Sequence, residues 1–183
     1  MDLIKKIATL HIQAKSYDRI VYSPRPIGSF RNVQQVKTTS VSQKPKGLWY
    51  ACGKDWKEYI QGRKPEWASG YQHKYLLQVN LNRMCVIRTE KELLDFHRRY
   101  GIEIRGKVAI DWVAVSSDYD GIEICPYRQS QRMELDWYYN WDVGSGCIWV
   151  SSAFKGATEV ENDIRDNESY PSLDEEEDWE DWD

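Results

Sequence analysis

The chain has 183 residues and a formal net charge of −4 at pH 7, from 25 Lys and Arg against 29 Asp and Glu. Residues 159–183 hold 13 of the acidic side chains and one arginine, so residues 1–158 keep 24 basic and 16 acidic side chains. No apolar run approaches the ~20 residues of a membrane-spanning helix, and the first residues lack the apolar stretch of a signal peptide. The four cysteines form no CxxC pair, which argues against a structural zinc site. We therefore expect a cytoplasmic protein with a basic body, an acidic end, reduced thiols and no bound metal.

Hydrophobic periodicity and turn residues predict alternating helices and strands in the first half of the chain. The predicted elements are a helix over residues 2–16, a strand at 19–22, a long polar loop at 27–46, a strand at 47–52, a helix from residue 54, and two paired strands at 75–81 and 84–87. The turn between the paired strands is predicted at Asn82 and Arg83.

The second half continues this pattern and ends in a polar tail. Thr89 lies three residues before Glu92, which is the spacing of a capping box, and Gly101 follows the apolar stripe, so a helix is predicted between them. A short helix at 110–119, a strand at 121–125 and a strand–turn–strand unit at 137–150 follow. Residues 1–155 are thus predicted to form one α+β domain with a mostly antiparallel sheet and inserted helices. Residues 156–183 carry too much like charge to bury a core and are predicted to be a disordered tail.

Three short apolar segments combine glycines with polar or aromatic side chains, as the walls of a cleft do. Lys44–Tyr50 reads KPKGLWY, Tyr119–Ile124 reads YDGIEI and Trp141–Trp149 reads WDVGSGCIW. With the strand at 19–25 before them, these segments resemble the ADP-ribosyltransferase superfold, a small split-sheet fold that holds NAD in a cleft. The chain departs from that family in having no His-Gly-Thr, Ser-Thr-Ser or Glu-x-Glu motif on the three strands. The same pattern is also similar to small proteins encoded by bacterial viruses, a likeness that names no activity.

The resemblance implies a mono-ADP-ribosyltransferase that uses NAD as a substrate and modifies a macromolecular target, either protein or nucleic acid. Positive charge builds on the ribose as nicotinamide leaves, and a carboxylate beside it stabilises the transition state. The candidates for that carboxylate are Glu123 and Asp142. The residues expected to bind NAD are Tyr22, Arg25, Gly47, Trp49, Tyr50 and Ser145. Among them, Trp49 and Tyr50 after Gly47 offer an aromatic wall for nicotinamide, and Arg25 joins Arg19, Lys44 and Lys46 as cations for the pyrophosphate.

Simpler readings of the same residues stay open. Trp49 and Trp149 fit a hydrophobic core, Asp142 fits a cap for the turn at Gly144, and Glu123 fits a side chain that faces solvent or pairs with an arginine. The alternative function is a non-enzymatic bacteriophage accessory or virion protein, located in the host cytoplasm or in the virion. A third reading is a nucleic-acid-binding module whose acidic tail masks its own basic surface or binds a basic partner.

Overall fold

The computed structural model describes residues 17–164, so the predicted helix over residues 2–16 and most of the predicted tail lie outside the described part of the chain. The strands are β1 (Arg19–Ser23), β2 (Leu48–Cys52), β3 (His73–Val79), β4 (Met84–Ile87), β5 (Gly101–Ile104), β6 (Lys107–Ile110), β7 (Gly121–Ile124), β8 (Ser145–Ile148) and β9 (Phe154–Val160). The α-helices in this range are α1 (Asp55–Arg63), α2 (Glu90–Tyr100) and α3 (Trp112–Asp118). No helix within residues 17–164 combines the length and the apolar character needed to cross a membrane.

Seven of the described strands form one sheet in the order β4-β7-β8-β2-β1-β3-β9, and β5 with β6 forms a separate hairpin. The β4–β7 pair is parallel, and the other neighbours in the large sheet are antiparallel. The described part of the chain is therefore a single α+β domain with a mostly antiparallel sheet, which confirms the coarse prediction of fold class.

The sheet separates two hydrophobic cores. On one face, α2 and α3 pack with an aromatic cluster that includes Trp112, Trp137, Trp141 and Trp149. Alternation along β8 sends Cys147 into this core and the next residue, Ile148, into a second core on the opposite face. Trp149 is 1% exposed, so its interpretation as a core residue is confirmed.

The start signal predicted for α2 is confirmed, and α3 lies within the helix predicted at 110–119. Thr89 Oγ1 accepts a hydrogen bond from the Glu92 backbone N–H at 3.2 Å, and Glu92 accepts one from the Thr89 backbone N–H at 2.8 Å, which completes the predicted capping box of α2. Asp111 caps α3, because its side chain accepts hydrogen bonds from the backbone N–H groups of Val113 and Ala114.

The predicted pairing of residues 75–81 with 84–87 is wrong. β3 lies between β1 and β9, whereas β4 lies at the opposite edge of the sheet and pairs with β7. The predicted strand–turn–strand unit at 137–150 is also wrong, because residues 138–140 form a 3-10 turn and the Gly-Ser-Gly stretch enters the single strand β8. The hairpin β5–β6 was not predicted, and β9 includes residues 156–160, so the folded part extends past the predicted boundary at residue 155.

The long loop at 27–46 has no helix or strand, as predicted, yet it is anchored to the domain. The Val33 N–H donates to the Trp149 carbonyl at 2.8 Å, and the buried Thr38 hydroxyl donates to the Ile110 carbonyl at 2.7 Å. The expectation of reduced thiols is contradicted for two cysteines, since a disulfide joins Cys52, at the end of β2, to Cys125, directly after β7.

Candidate functional site

A cleft opens where β1 and β2 separate. The two strands pair at only two positions, Arg19 with Cys52 and Ile20 with Ala51, although β1 pairs with β3 along its full length. Beyond the last paired position, both strands line a cavity of about 230 Å³. Its walls include Ile20, Tyr22, Trp49, Ala51, Trp56 and Tyr71, and Tyr50 also contributes to them. The result is a narrow cleft with aromatic walls between two strands of the sheet.

Ring contacts shape the outer wall of this cleft. Trp56, on α1, lies 5.3 Å from Tyr59 in a stacked arrangement and 6.2 Å from Tyr71 in an edge-on one, measured between ring centroids. Tyr71 also meets Tyr22 edge-on at 6.3 Å. These rings support one another, so the wall is preformed.

A buried polar cluster lies beside the cleft, formed by residues from three strands. The Glu123 carboxylate on β7 accepts two hydrogen bonds from the Arg19 guanidinium on β1, at 2.6 and 3.0 Å. The Tyr50 hydroxyl on β2 donates a third hydrogen bond to Glu123 at 2.8 Å. The side chain of Glu123 is 3% exposed and that of Arg19 is 14% exposed. Water therefore reaches this Arg–Tyr–Glu cluster from the arginine side.

Burial and charge fix the ionisation of the two donors. Burial works to lower the pKa of Arg19, but the hydrogen bonds and negative charge of Glu123 raise it above its usual value. Burial raises the pKa of Tyr50 well above its usual value, and the charge of Glu123 raises it further. Arg19 is thus cationic and Tyr50 keeps its proton at neutral pH, so both remain donors to the carboxylate.

Glycines allow close contacts at two positions in this part of the sheet. Gly146 on β8 lies between Tyr50 and Glu123 in the register of the sheet, and a Cβ atom there would overlap the ring of Tyr50. Gly47 was predicted to be among the residues that bind NAD. A Cβ atom at Gly47 would instead overlap the carbonyl oxygen of Ile148, so the close approach at this position is to β8.

The second predicted carboxylate, Asp142, lies in a different environment. It accepts a hydrogen bond from Arg132 at 3.2 Å and does not cap the turn at Gly144, whose N–H donates to Asp55 at 3.0 Å. Lys44 lies near this pair, with its ammonium nitrogen 5.5 Å from the centre of the Trp49 ring. Desolvation lowers the pKa of Lys44, against an opposing effect of Asp142. The structure therefore assigns the two carboxylates to two separate clusters.

The other predicted NAD-binding residues are dispersed. Trp49 is half-buried on the cleft wall, and it also packs against Trp141 at 5.0 Å between ring centroids. Arg25 is exposed, and the Ser145 hydroxyl donates to the Val143 carbonyl at 3.1 Å. Lys46 is linked through its backbone to the side chain of Gln35.

Tyr22 lines the cleft, and its hydroxyl donates to Asp163 at 3.0 Å. Lys57 and Lys74 also donate to Asp163, at 3.1 and 2.7 Å. Burial works to raise the pKa of Asp163, but these hydrogen bonds lower it to about 2. The hydroxyl of Tyr22 is thus held in place by a carboxylate that is ionised at neutral pH.

Sequence reasoning missed Trp56 and Tyr71 as cleft residues. Trp56 lies in the helix predicted from residue 54, but nothing in the spacing of its neighbours indicates that the helix packs over the opening between β1 and β2. Within residues 17–164, no group of three or more His, Cys, Asp or Glu side chains has the arrangement of a metal site.

Comparison with known proteins gives no match, whether to a protein family, to a curated protein or to a solved structure. The functional argument therefore depends on the geometry of the cleft and of the Arg–Tyr–Glu cluster.

Proposed function

We propose that this protein binds NAD in the cleft between β1 and β2 and transfers its ADP-ribose to a macromolecule, either a protein or a nucleic acid. The observation that carries the proposal is the position of Tyr50, which contributes to the aromatic cleft and also donates a hydrogen bond to Glu123. Tyr50 thus connects a binding site for a flat ring with a carboxylate. The ADP-ribosyltransferase-like split sheet is part of the proposal, and the separation of β1 from β2 after two paired positions supports it.

The size and lining of the cleft suit the nicotinamide end of NAD. A volume of about 230 Å³ is below the ~300–1,000 Å³ of pockets that enclose whole drug-sized ligands. It fits one flat ring with its amide, while the rest of the dinucleotide extends outward. Trp49 and Tyr22 supply ring faces for stacking.

Arg19 is the cation that the pyrophosphate would meet first. It lies one residue before Ile20, whose pairing with Ala51 is the last before the opening, and it is more exposed than Tyr50 and Glu123. A guanidinium binds carboxylate and phosphate oxygens with the same two-pronged geometry. NAD binding would therefore draw Arg19 away from Glu123 and free carboxylate oxygens for the reaction.

Glu123 is the carboxylate that we assign to catalysis. The acceptor's nucleophile forms a bond to the ribose carbon, nicotinamide leaves with the electrons of the broken carbon–nitrogen bond, and the acceptor gives up its proton to water. The Glu123 carboxylate stabilises the positive charge on the ribose in the transition state. Asp142 is not given this role in the proposal because it lies in the other cluster, whereas Glu123 contacts a residue of the cleft, Tyr50.

Calorimetry with NAD, followed by mass spectrometry for ADP-ribose on the protein and on lysate components, tests the proposal. Stacking on an aromatic ring contributes ~1–3 kcal/mol, so Trp49→Ala should weaken NAD binding by about tenfold or more, and Trp49→Phe should retain it. Glu123→Gln should bind NAD but lose roughly 10²–10³-fold in turnover. The exposed Glu103→Gln, on β5, is the matched control. Absence of binding at millimolar NAD, or full turnover by Glu123→Gln, contradicts the proposal.

A further inference from the structure

A second and larger concavity lies away from the cleft. It has a volume of about 640 Å³ and is bounded by the loop at residues 39–42, the turn of the β5–β6 hairpin and the segment 132–140. We call it the basic groove, because its charged lining residues are Arg105, Lys107 and Arg132 against one carboxylate, Asp136. It shares no lining residue with the cleft.

The hairpin turn presents two of the cations to solvent. Arg105 and Gly106 have φ angles of 54° and 77°, which is the pattern of a tight two-residue hairpin turn. Arg105 and Lys107 are exposed, and neither forms an ion pair with a residue in the range 17–164. Asp136 accepts a hydrogen bond from the Val108 N–H at 3.0 Å, so its carboxylate is already engaged by the backbone of β6. Arg132 is already paired with Asp142, so the excess positive charge of the groove comes from Arg105 and Lys107 against Asp136.

The floor of the groove also exposes apolar surface. Met133 is 75% exposed and Tyr139 is 50% exposed, both among the most exposed large apolar side chains in the described part of the chain. The Arg132 guanidinium lies 5.3 Å from the centre of the Tyr139 ring, which holds that ring in place. A ligand that fits this surface carries negative charge and an apolar ring together.

We propose that the basic groove is the intramolecular docking site of the acidic C-terminal segment 174–183. That segment reads DEEEDWEDWD, so it alternates runs of carboxylates with Trp179 and Trp182. Its carboxylates pair with the groove cations, and an indole packs against Met133 and Tyr139. Both kinds of complementarity, of charge and of apolar surface, are thus provided by one stretch of the chain.

The distance is within reach of the connecting residues. The described chain ends at Ile164, which is buried with Ile20 and Ile60. Fourteen residues separate Ile164 from Trp179, and at ~3.3–3.6 Å per residue they span up to roughly 50 Å. A domain of this size has a radius of gyration of about 15 Å. Tethering raises the effective concentration of the segment at the groove to the millimolar range, so even weak contacts lead to substantial occupancy.

Zero-length carbodiimide crosslinking of the full chain, read by mass spectrometry, tests the docking. It should join the Lys107 amine to carboxylates of residues 174–183 within one molecule, several-fold more often than it joins Lys155. Lys155 is an exposed lysine on β9 that is closer in sequence to the segment, so a segment without a docking site would favour it. Arg105→Asn, whose new residue tolerates the positive φ, should reduce the Lys107 link at least about threefold. The exposed Arg31→Asn should leave it unchanged.

Salt and isotope labelling complete the test. The Lys107 link should fall strongly at ~1 M salt, where the screening length is about 3 Å. In a mixture of ¹⁴N and ¹⁵N protein, links between differently labelled chains would show docking onto a second copy and overturn the intramolecular proposal. Equal linking of Lys107 and Lys155 would overturn it as well. Binding of a single-stranded oligonucleotide gives a further test, in which the acidic residues of 174–183 are replaced with Asn and Gln. The proposal is also overturned if the oligonucleotide binds the full chain through Arg105 and this replacement does not tighten its binding.

Discussion

Removing one member of the Arg19–Glu123 pair should destabilise the fold far more than removing both. Glu123→Leu leaves a guanidinium that is only 14% exposed without its carboxylate and leaves the Tyr50 hydroxyl without its acceptor. Breaking a buried pair in this way costs about 3–5 kcal/mol. For a chain of this length, each kcal/mol corresponds to roughly 2–4 °C in Tm, so Tm should fall by about 6–20 °C. In Arg19→Met/Glu123→Leu, apolar side chains replace both charges, and most of that loss should be recovered.

Urea denaturation followed by far-UV circular dichroism measures these differences, with the m-value as a check that the folded state is intact. Replacement of the exposed Glu103 on β5, Glu103→Leu, is the control and should stay within about 0.5 kcal/mol of the wild type. The reasoning fails if Glu123→Leu costs less than about 1 kcal/mol. It also fails if the double variant loses the sum of the two single losses, because independent sites add and coupled ones do not.

Three further outcomes follow from other contacts. Gly146→Ala should cost about 1–3 kcal/mol in urea denaturation because its Cβ overlaps a buried ring, whereas Gly156→Ala on β9 meets no atom within 4 Å and should be near neutral. Because the pKa of Asp163 is about 2 in the folded chain and about 3.9 unfolded, its stabilisation is present above pH ~4 and is lost toward pH 2. Calorimetry should therefore show Asp163→Asn with a lower Tm than the wild type at pH 7, and the difference should shrink as the pH falls through that window. In denaturant without reductant, two of the four cysteines should react with a thiol reagent, because Cys52 and Cys125 are bonded to each other; four reactive thiols would contradict the disulfide.

Local signals in the sequence predicted local structure well. Thr89 and Asp111 mark helix starts because a side-chain acceptor must satisfy free N–H groups there, whatever the rest of the fold does. The hairpin β5–β6 was missed because its turn is Arg105-Gly106, and the usual first residue of such a turn is Asn, Asp or Gly. Turn chemistry is readable from sequence only when the common residues are used.

Strand pairing and the candidate site depended on contacts that local patterns do not encode. β3 and β4 are close in sequence, yet the sheet places four strands between them. Glu123 was identified as a candidate, and one open reading had it paired with an arginine. That arginine is Arg19, 104 residues away, which no spacing rule could select. An isolated glutamate in an apolar strand suggests that its side chain faces solvent. Here the face of the sheet that carries Glu123 is covered, because the second core packs on it.

The cleft and the basic groove are formed by different residues. Failure of the NAD-binding proposal can therefore be distinguished from failure of the docking proposal. Glu123→Gln changes the Arg–Tyr–Glu cluster alone, and the link between Lys107 and the acidic segment should be the same as in the wild type. Arg105→Asn changes the groove alone, and calorimetry should then give an NAD affinity equal to that of the wild type. If NAD affinity falls instead with Arg105→Asn and is unchanged by Trp49→Ala, the dinucleotide occupies the groove. The aromatic opening between β1 and β2 is then a feature of packing, and the carboxylate of Glu123 serves only the stability that its pairing with Arg19 provides.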